Sequence, residues 1–501
     1  MPTLSFVALR DVSFAYAASV DNLFSHLSVN LSRGFTGIVG ANGVGKSTLL
    51  KLAVGELQVT HGSIESAGKG EAFYCDQRTD TPPHDFADFL LDWRHDADSL
   101  RRRLEVEWSF LEGWPQLSHG ERKRAQIAHS LWKNPALLAI DEPTNHIDRE
   151  ARRILLDALA TFQGVGLIVS HDRDLLDELC YQCVWLNPPN ADIYKGGYHQ
   201  AKVQREAERQ TAVHARAKAV GHELRLREEV IQRRRRTSRE HRLRSKRGLS
   251  NHDHDAKGKI DRARVSDGGA GAGLRQLESR TRRARRELAN LVVEKEYKTG
   301  IWMTGTVSKR DALLHIEAGQ LALGPDRSLH FPELHMLPKS RIAITGPNGS
   351  GKTTLLRRVQ NSLMLKADEI VYLPQEITRE STCEILHELH ALPSFALGQL
   401  LNIVSRLGSR PRRLLSSDDP SPGEMRKLLL ALGILKRAQL IILDEPTNHL
   451  DLPSIEALES ALAESPVGVL LVSHDEAFVA RTTHTRWAIV STDTHNRVRV
   501  S

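Results

Sequence analysis

Two octapeptides, GANGVGKS at residues 40–47 and GPNGSGKT at residues 346–353, constrain this chain more than any other feature. A glycine-rich loop between a strand and a helix lets successive backbone N–H groups curl round a phosphate that side chains would obstruct. The apolar residues 36–39 and 341–345 supply the strands that run into the loops. In that geometry Lys46 and Lys352 reach the outer phosphates, and Ser47 and Thr353 ligate magnesium. One such octapeptide arises by chance; two, each behind an apolar strand, mean a duplicated phosphate-binding unit.

The spacing extends the duplication. Ser118 and Ser421, Asp141 and Asp444, Asp148 and Asp451, and His171 and His474 each lie 303 positions apart, while Lys46 and Lys352 lie 306 apart. Unrelated segments would not keep register without insertion or deletion. Apolar residues 137–140 and 440–443 lead into Asp141-Glu142 and Asp444-Glu445. An aspartate at the tip of a buried strand can hold magnesium, and the following glutamate can polarise the attacking water as general base. Each pair continues into PTNH, and a third strand ends in Ser170-His171 or Ser473-His474, placing an imidazole beside the transferred phosphoryl group. Between loop and acids lie Gln77 and Gln375, each after a short strand, then SHGER at Ser118 and SPGEM at Ser421. A serine and a glycine opening a helix present free amides and a hydroxyl, a second phosphate-binding surface that a self-sufficient site would not need.

The segment between the two units is unlike either. Residues 201–300 carry 28 Lys and Arg against 14 Asp and Glu, a surplus of 14 in a chain whose total surplus is 7, so the flanks together are acidic. Concentrated positive charge bordered by near-neutral domains is the footprint of a polyanion-binding element, because each neutralised phosphate releases condensed counterions. The plainer alternative is a charged, solvated helix pair. Val213, Ala217, Val220 and Leu224, and more loosely Leu274, Leu277, Leu288 and Leu291, recur at helical steps, which predicts two arms with narrow apolar seams. The glycine-bearing residues 248–273 are the expected turn. Arms of about 40 residues would reach ~60 Å at ~1.5 Å per residue.

At 501 residues the chain accommodates three domains, here 1–200, 201–300 and 301–501. The N-terminus has neither the charged start nor the apolar run of a signal peptide, and no apolar stretch approaches the ~18 residues of a membrane span, so the expectation is a cytoplasmic protein that is no channel or permease by itself. Cys75, Cys180, Cys183 and Cys383 are scattered, which suits a reducing compartment. The single CxxC of Cys180 and Cys183 has no second pair to complete a zinc site and reads as core.

Phosphate loop, glutamine, S-x-G-E, acidic strand and terminal histidine, in that order and twice over, resemble the nucleotide-binding domains of ATP-binding cassette proteins across about 400 residues. The resemblance implies an α/β fold with two P-loop cassettes joined by an α-helical hairpin, or coiled-coil, linker, paired head to tail within one monomer. It implies ATP on Gly40, Ala41, Asn42, Gly43, Val44, Gly45, Lys46, Ser47 and Thr48, with Tyr16 stacked on adenine and Gln77 nearby, capped by Ser421, Gly423 and Glu424. The second ATP would lie on Gly346, Pro347, Asn348, Gly349, Ser350, Gly351, Lys352, Thr353 and Thr354 with Gln375, capped by Ser118, Gly120 and Glu121. Magnesium would take Ser47, Gln77 and Asp141 in one site and Thr353, Gln375 and Asp444 in the other, while Glu142 with His171 and Glu445 with His474 would be catalytic.

Twin cassettes, no membrane domain and a long charged linker resemble the F subfamily, ABC-F, whose members act on the ribosome. That resemblance implies a translation factor whose basic hairpin contacts ribosomal RNA or tRNA; the candidate contacts are Arg233, Arg234, Arg235, Arg236, Arg242, Arg244, Lys246 and Arg247. Two departures bear on its branch. Only 39 residues separate Gln77 from Leu117 against 44 between Gln375 and Pro420, so an arm insertion in the first cassette is not expected, and neither is a long extension after His474. Both favour a drug-protection role by ribosome protection, with housekeeping rescue of stalled ribosomes beside it. The second copy offers no aromatic where Tyr16 stands in the first. The rival readings are the detached ATPase of a membrane transporter and a DNA-maintenance ATPase.

Overall fold

The computed structural model describes residues 6–17, 22–67, 71–145, 147–243, 267–291, 306–324, 327–408, 420–436, 438–491 and 495–501. The chain divides into two compact units, one of residues 1–201 with 297–501 and the other of residues 202–296.

The first unit holds both α/β cassettes. In the first cassette a six-stranded sheet runs in the order Ala72–Cys75, Leu137–Asp141, Val165–Val169, Gly34–Val39, Cys180–Asn187 and Asn190–Lys195. All its pairings are parallel except the last. The strands LLAID and VGLIV are buried at every position, as strands covered on both faces must be. A smaller antiparallel sheet of Phe24–Ser32, Phe6–Phe14 and His61–Ala67 packs its Val7, Leu9, Phe24 and Leu27 onto one face of the larger one. Cys180 and Cys183 are buried in the core, and burial pushes the Cys183 thiol up to about 12, in keeping with the structural reading.

The second cassette repeats the arrangement, with Ile370–Leu373, Leu440–Asp444, Gly468–Val472, Arg341–Thr345 and Thr485–Ser491 side by side in an eight-stranded sheet. In each copy the phosphate-loop strand neighbours the strand preceding the histidine, and that strand neighbours the acidic one. Asp141 lies opposite Val169, and Asp444 opposite Val472. The carboxyl ends of three adjacent strands therefore gather loop, acids and histidine, the place where open α/β sheets put their ligands.

In the second unit the arms are the 46-residue helix Tyr198–Leu243, whose first turn belongs to the first unit, and the 24-residue helix Asp267–Asn290. Two expectations are corrected here. Val213, Val220 and Leu224 are exposed, and the seam of the first arm is instead Leu226 and Val230, buried against Leu277 and Ala284, with Leu274 and Leu277 of the expected second-arm set taking part. A helical period names a face but not the stretch along which a partner lies. Of the expected turn at residues 248–273, residues 267–273 with their glycines are helical, and residues 248–266 lie outside the described residues. At Gly273 a Cβ would stand 3.0 Å from the Arg233 guanidinium, so this glycine lets the opposite arginine lie close.

Candidate functional site

Each phosphate loop ends in a left-handed glycine, Gly45 at φ 97° and Gly351 at φ 101°, a conformation open to glycine and strained for other residues. These glycines start the helices Lys46–Val54 and Lys352–Ser362, and neither helix has a side-chain N-cap, which leaves the first-turn amides for an anion. Lys46 is buried and lies 2.9 Å from the Gly40 carbonyl, 3.4 Å from that of Ala41 and 3.3 Å from Asn42 Oδ1. Lys352 donates to the carbonyls of Gly346 and Pro347 at 3.0 and 2.9 Å. Burial lowers the pKa of both ammonium groups despite the acids around them. Such buried cations, folded back on loop carbonyls, fit a polyphosphate.

Two of the three expected magnesium ligands of the first site come together: Ser47 acts on the Asp141 carboxyl and lowers its pKa, and Asp141 also accepts from Tyr74 Oη at 3.1 Å. Burial outweighs this and raises the pKa of Asp141. Thr353, Asp444 and Gln375 line one cavity in the second site.

Glu142 and Glu445 carry φ values of 47° and 46°, left-handed at non-glycine residues. Such strain, of order 1–3 kcal/mol, persists only where the surroundings over-determine it. Here Glu142 N–H donates to the Val169 carbonyl at 2.9 Å and Glu445 N–H to that of Val472 at 2.8 Å. The glutamates are thereby anchored to the strands that carry the histidines. His171 Nε2 lies 3.0 Å from Glu142, and the His171 backbone N–H donates to the same carboxylate at 3.3 Å. Burial alone would raise the Glu142 carboxyl, but His171 and Lys46 outweigh it and hold the group below its usual range. His474 Nε2 is 3.5 Å from Glu445 and 3.1 Å from Asn348 Oδ1. Burial dominates there, and Glu445 is raised.

Tyr16 Oη bonds Thr48 Oγ1 at 2.7 Å, which brings the ring to the first loop. Leu323 lines the second cavity beside Gly351. Ser118 and Ser421 cap the helices His119–Trp132 and Pro422–Leu435, and Glu121 and Glu424 close capping boxes on them. These two carboxylates, expected among the ATP contacts, turn to their own helix ends.

The cassettes meet head to tail. Asn42 N–H donates to Asp451 Oδ2 at 2.7 Å and Asn42 Nδ2 to the His449 carbonyl at 2.8 Å; symmetrically, Asn348 N–H donates to Asp148 Oδ2 at 3.2 Å. Asp148 and Asp451 also cap the helices that follow them. A Cβ on Gly423 would lie 3.4 Å from Asn42 Nδ2, so the signature glycine of one cassette faces the phosphate loop of the other. A cavity of ≈ 690 Å³ is lined by Ser118, Asp148, Lys352, Gln375, Glu445 and His474 among others, joining the second phosphate loop to the first signature helix. Gln77 and Gln375 are both exposed.

Four side chains escaped the sequence reading of the site. Asp148 and Asp451 were visible as repeats but not as cross-cassette contacts. Lys123 donates to the Asp76 carbonyl at 2.7 Å, and the equivalent Arg426 to the Glu445 carbonyl at 2.8 Å and to that of Gln375. A basic residue two places after the glutamate of both signature helices was the available signal. Of the linker arginines, Arg233, Arg234, Arg235 and Arg236 are exposed, and Arg234 pairs with Glu278 at 2.5 Å. The Arg242 side chain, Arg244, Lys246 and Arg247 lie outside the described residues.

Two phosphate loops, each facing the signature helix and aspartate loop of the other half, define a twin-cassette nucleotide-binding ATPase. A family model described as "ABC transporter" matches residues 24–145 and 329–448. The ribosome protection protein VmlR of Bacillus subtilis is 30% identical over 499 residues, covering 96% of this chain and 86% of that protein. The energy-dependent translational throttle protein EttA of Mycobacterium tuberculosis is 27% identical, covering 89% of this chain and 84% of its own. Among solved structures, an RNase-L inhibitor superposes with TM-score 0.61 at 18% identity over 98% of this chain and 90% of its own, a likeness of fold. The chain belongs to the ABC-F subfamily of ATP-binding cassette proteins, and it hydrolyses ATP. Among its described residues no helix is long and apolar enough to cross a membrane.

Proposed function

We propose that this protein is a cytoplasmic, monomeric translation factor that binds the ribosome when both ATPs close its cassettes and that presents the basic hairpin to ribosomal RNA or tRNA. The observation that carries the reading is the union, in one chain, of a head-to-tail cassette pair with a helical hairpin holding twice as many basic as acidic residues. Relatives whose names refer to ribosome protection and to a translational throttle support it. So does Tyr198 at the root of the first arm, which stacks on Trp185 of the first cassette and bonds Glu456 of the second at 2.8 Å, so relative movement of the cassettes is felt there.

In this reading Lys46, Lys352 and the uncapped helix ends hold the phosphates. Ser47, Asp141 and Gln77, or Thr353, Asp444 and Gln375, hold a magnesium ion, which supplies charge neutralisation when bound. Glu142 and Glu445 take a proton from the attacking water, oriented by His171 and His474. The cap formed by Ser421 and Gly423, or by Ser118 and Gly120, couples occupancy to closure. Displacing or counteracting a ribosome-targeting antibiotic is the branch of this role that we favour.

The test is the double variant Glu142→Gln, Glu445→Gln, which keeps the phosphate contacts and loses water activation. It is expected to sediment with ribosomes in ATP and to arrest translation in a cell-free system. Protein that stays at the top of the gradient with ATP bound would overturn the reading, and a stable membrane partner without ribosome association would favour the transporter alternative.

A further inference from the structure

We propose a divalent transition-metal site on the second cassette, formed by His315, Glu333 and His335 and independent of the nucleotide sites. The strands Leu314–Ile316 and Leu334–Met336 pair antiparallel with His315 directly opposite His335. Strand alternation sends Leu314, Ile316, Leu334 and Met336 into the core and the two histidines outward together. Glu333, two residues before His335, joins them on that face. His315 Nδ1 lies 3.0 Å from His335 Nδ1 and 3.6 Å from Glu333 Oε1, and His335 Nε2 lies 2.9 Å from the same oxygen. One ligand atom from each residue falls within 4.8 Å of the others, a grouping found nowhere else among the described residues.

Zinc bound at ~2.0–2.1 Å in tetrahedral geometry needs donor atoms about 3.3 Å apart, so the His315 nitrogen already stands at a ligand's distance from both other groups. Two imidazoles and a carboxylate are the donor set of borderline cations such as Zn²⁺, Co²⁺, Ni²⁺ and Cu²⁺, and unlike an all-oxygen set they discriminate against Mg²⁺. The side chains are 40% to 55% exposed, which leaves a remaining position to water. A cation held here links two strands that pair over three residues each. The segment it closes includes Leu323, which lines the second nucleotide cavity.

The test is calorimetric titration of the nucleotide-free full chain with Zn²⁺, alongside visible absorption with Co²⁺. We expect a Zn²⁺ equivalent that is absent from the double variant His315→Gln, His335→Gln and bound at least about tenfold more weakly by Glu333→Gln, since even an outer-shell partner is worth that much. The Co²⁺ complex should show tetrahedral d–d bands in the wild type alone. Zn²⁺ should raise the melting temperature of the wild type and not of the double variant, while Mg²⁺-dependent ATP turnover is the same in both. Equal zinc stoichiometry and affinity in wild type and double variant would overturn the assignment, as would cobalt bands that survive the substitutions.

Discussion

The two nucleotide sites are built from the same residues at nearly constant spacing, yet they are electrostatically different. In the first, His171 stands 3.0 Å from Glu142 and, with Lys46, keeps that carboxylate charged. In the second, His474 is drawn to Asn348 and sits 3.5 Å from Glu445, burial prevails, and the carboxyl is raised. The phosphate-loop contact is also tighter in the first, 2.7 Å from Asn42 to Asp451 against 3.2 Å from Asn348 to Asp148. A repeated motif therefore fixes which groups meet, while the local sum of charges and contacts fixes the state in which they meet.

The single variants Glu142→Gln and Glu445→Gln probe that difference most directly. Removing a general base costs about 10²- to 10⁴-fold in the site concerned. If the first site turns over faster at neutral pH, Glu142→Gln removes the larger share of steady-state turnover. The activity left in Glu142→Gln should then rise with pH above neutrality, because a base with a raised pKa ionises late, whereas that left in Glu445→Gln stays flat from pH 6 upward. Equal losses with matching pH profiles would erase the distinction between the sites.

The interface is unequal as well. At one end Arg173 of the first cassette is buried on Glu459 of the second at 2.5 Å, with Arg481 joining at 2.8 Å. At the other end, position 476, which lies 303 residues after Arg173, is a glutamate that reaches Arg149 only at 3.8 Å and in solvent. Leaving a buried charge without its partner costs about 3–5 kcal/mol, and losing an exposed pair at most about 1. Glu459→Met, which strands the buried Arg173, should accordingly lower the urea midpoint far more than Arg149→Ala. Matching midpoints would mean that the buried pair does not hold the halves together.

The smallest effect concerns acid stability. His129 is buried among Phe73, Phe86, Phe89 and Trp132, neither ring nitrogen has a hydrogen-bond partner, and burial brings its pKa down to about 4. The position 303 residues later is the buried Leu432. Above about pH 6.5, the ordinary histidine value, neither folded nor unfolded chain is charged at this residue. As pH falls from there toward 4 only the unfolded chain takes the proton, so stability drops through that window and the loss is complete below it. His129→Leu should flatten the fall in melting temperature between pH 6.5 and 4; an unchanged slope would assign the acid sensitivity to other groups.

Much of the site was legible because phosphate chemistry demands glycine, lysine and a hydroxyl in fixed order, and because each motif appears twice. The acids and histidines at strand ends were likewise readable from apolar runs that stop abruptly. The left-handed backbone of Glu142 and Glu445 was not, since nothing in a glutamate announces a positive φ that only neighbouring strands impose. Nor was the register of the hairpin seam: Val213 and Leu226 are equally apolar, and only the partner arm distinguishes them.

The amino-acid order alone determined two phosphate-binding α/β units and a basic helical segment between them, because these follow from local pattern and from repetition. Folding decided which half faces which, as in Asn42 on Asp451, and which carboxylate keeps its charge. Those outcomes depend on distances between groups hundreds of residues apart and on the water excluded around them, quantities that have no counterpart along the chain.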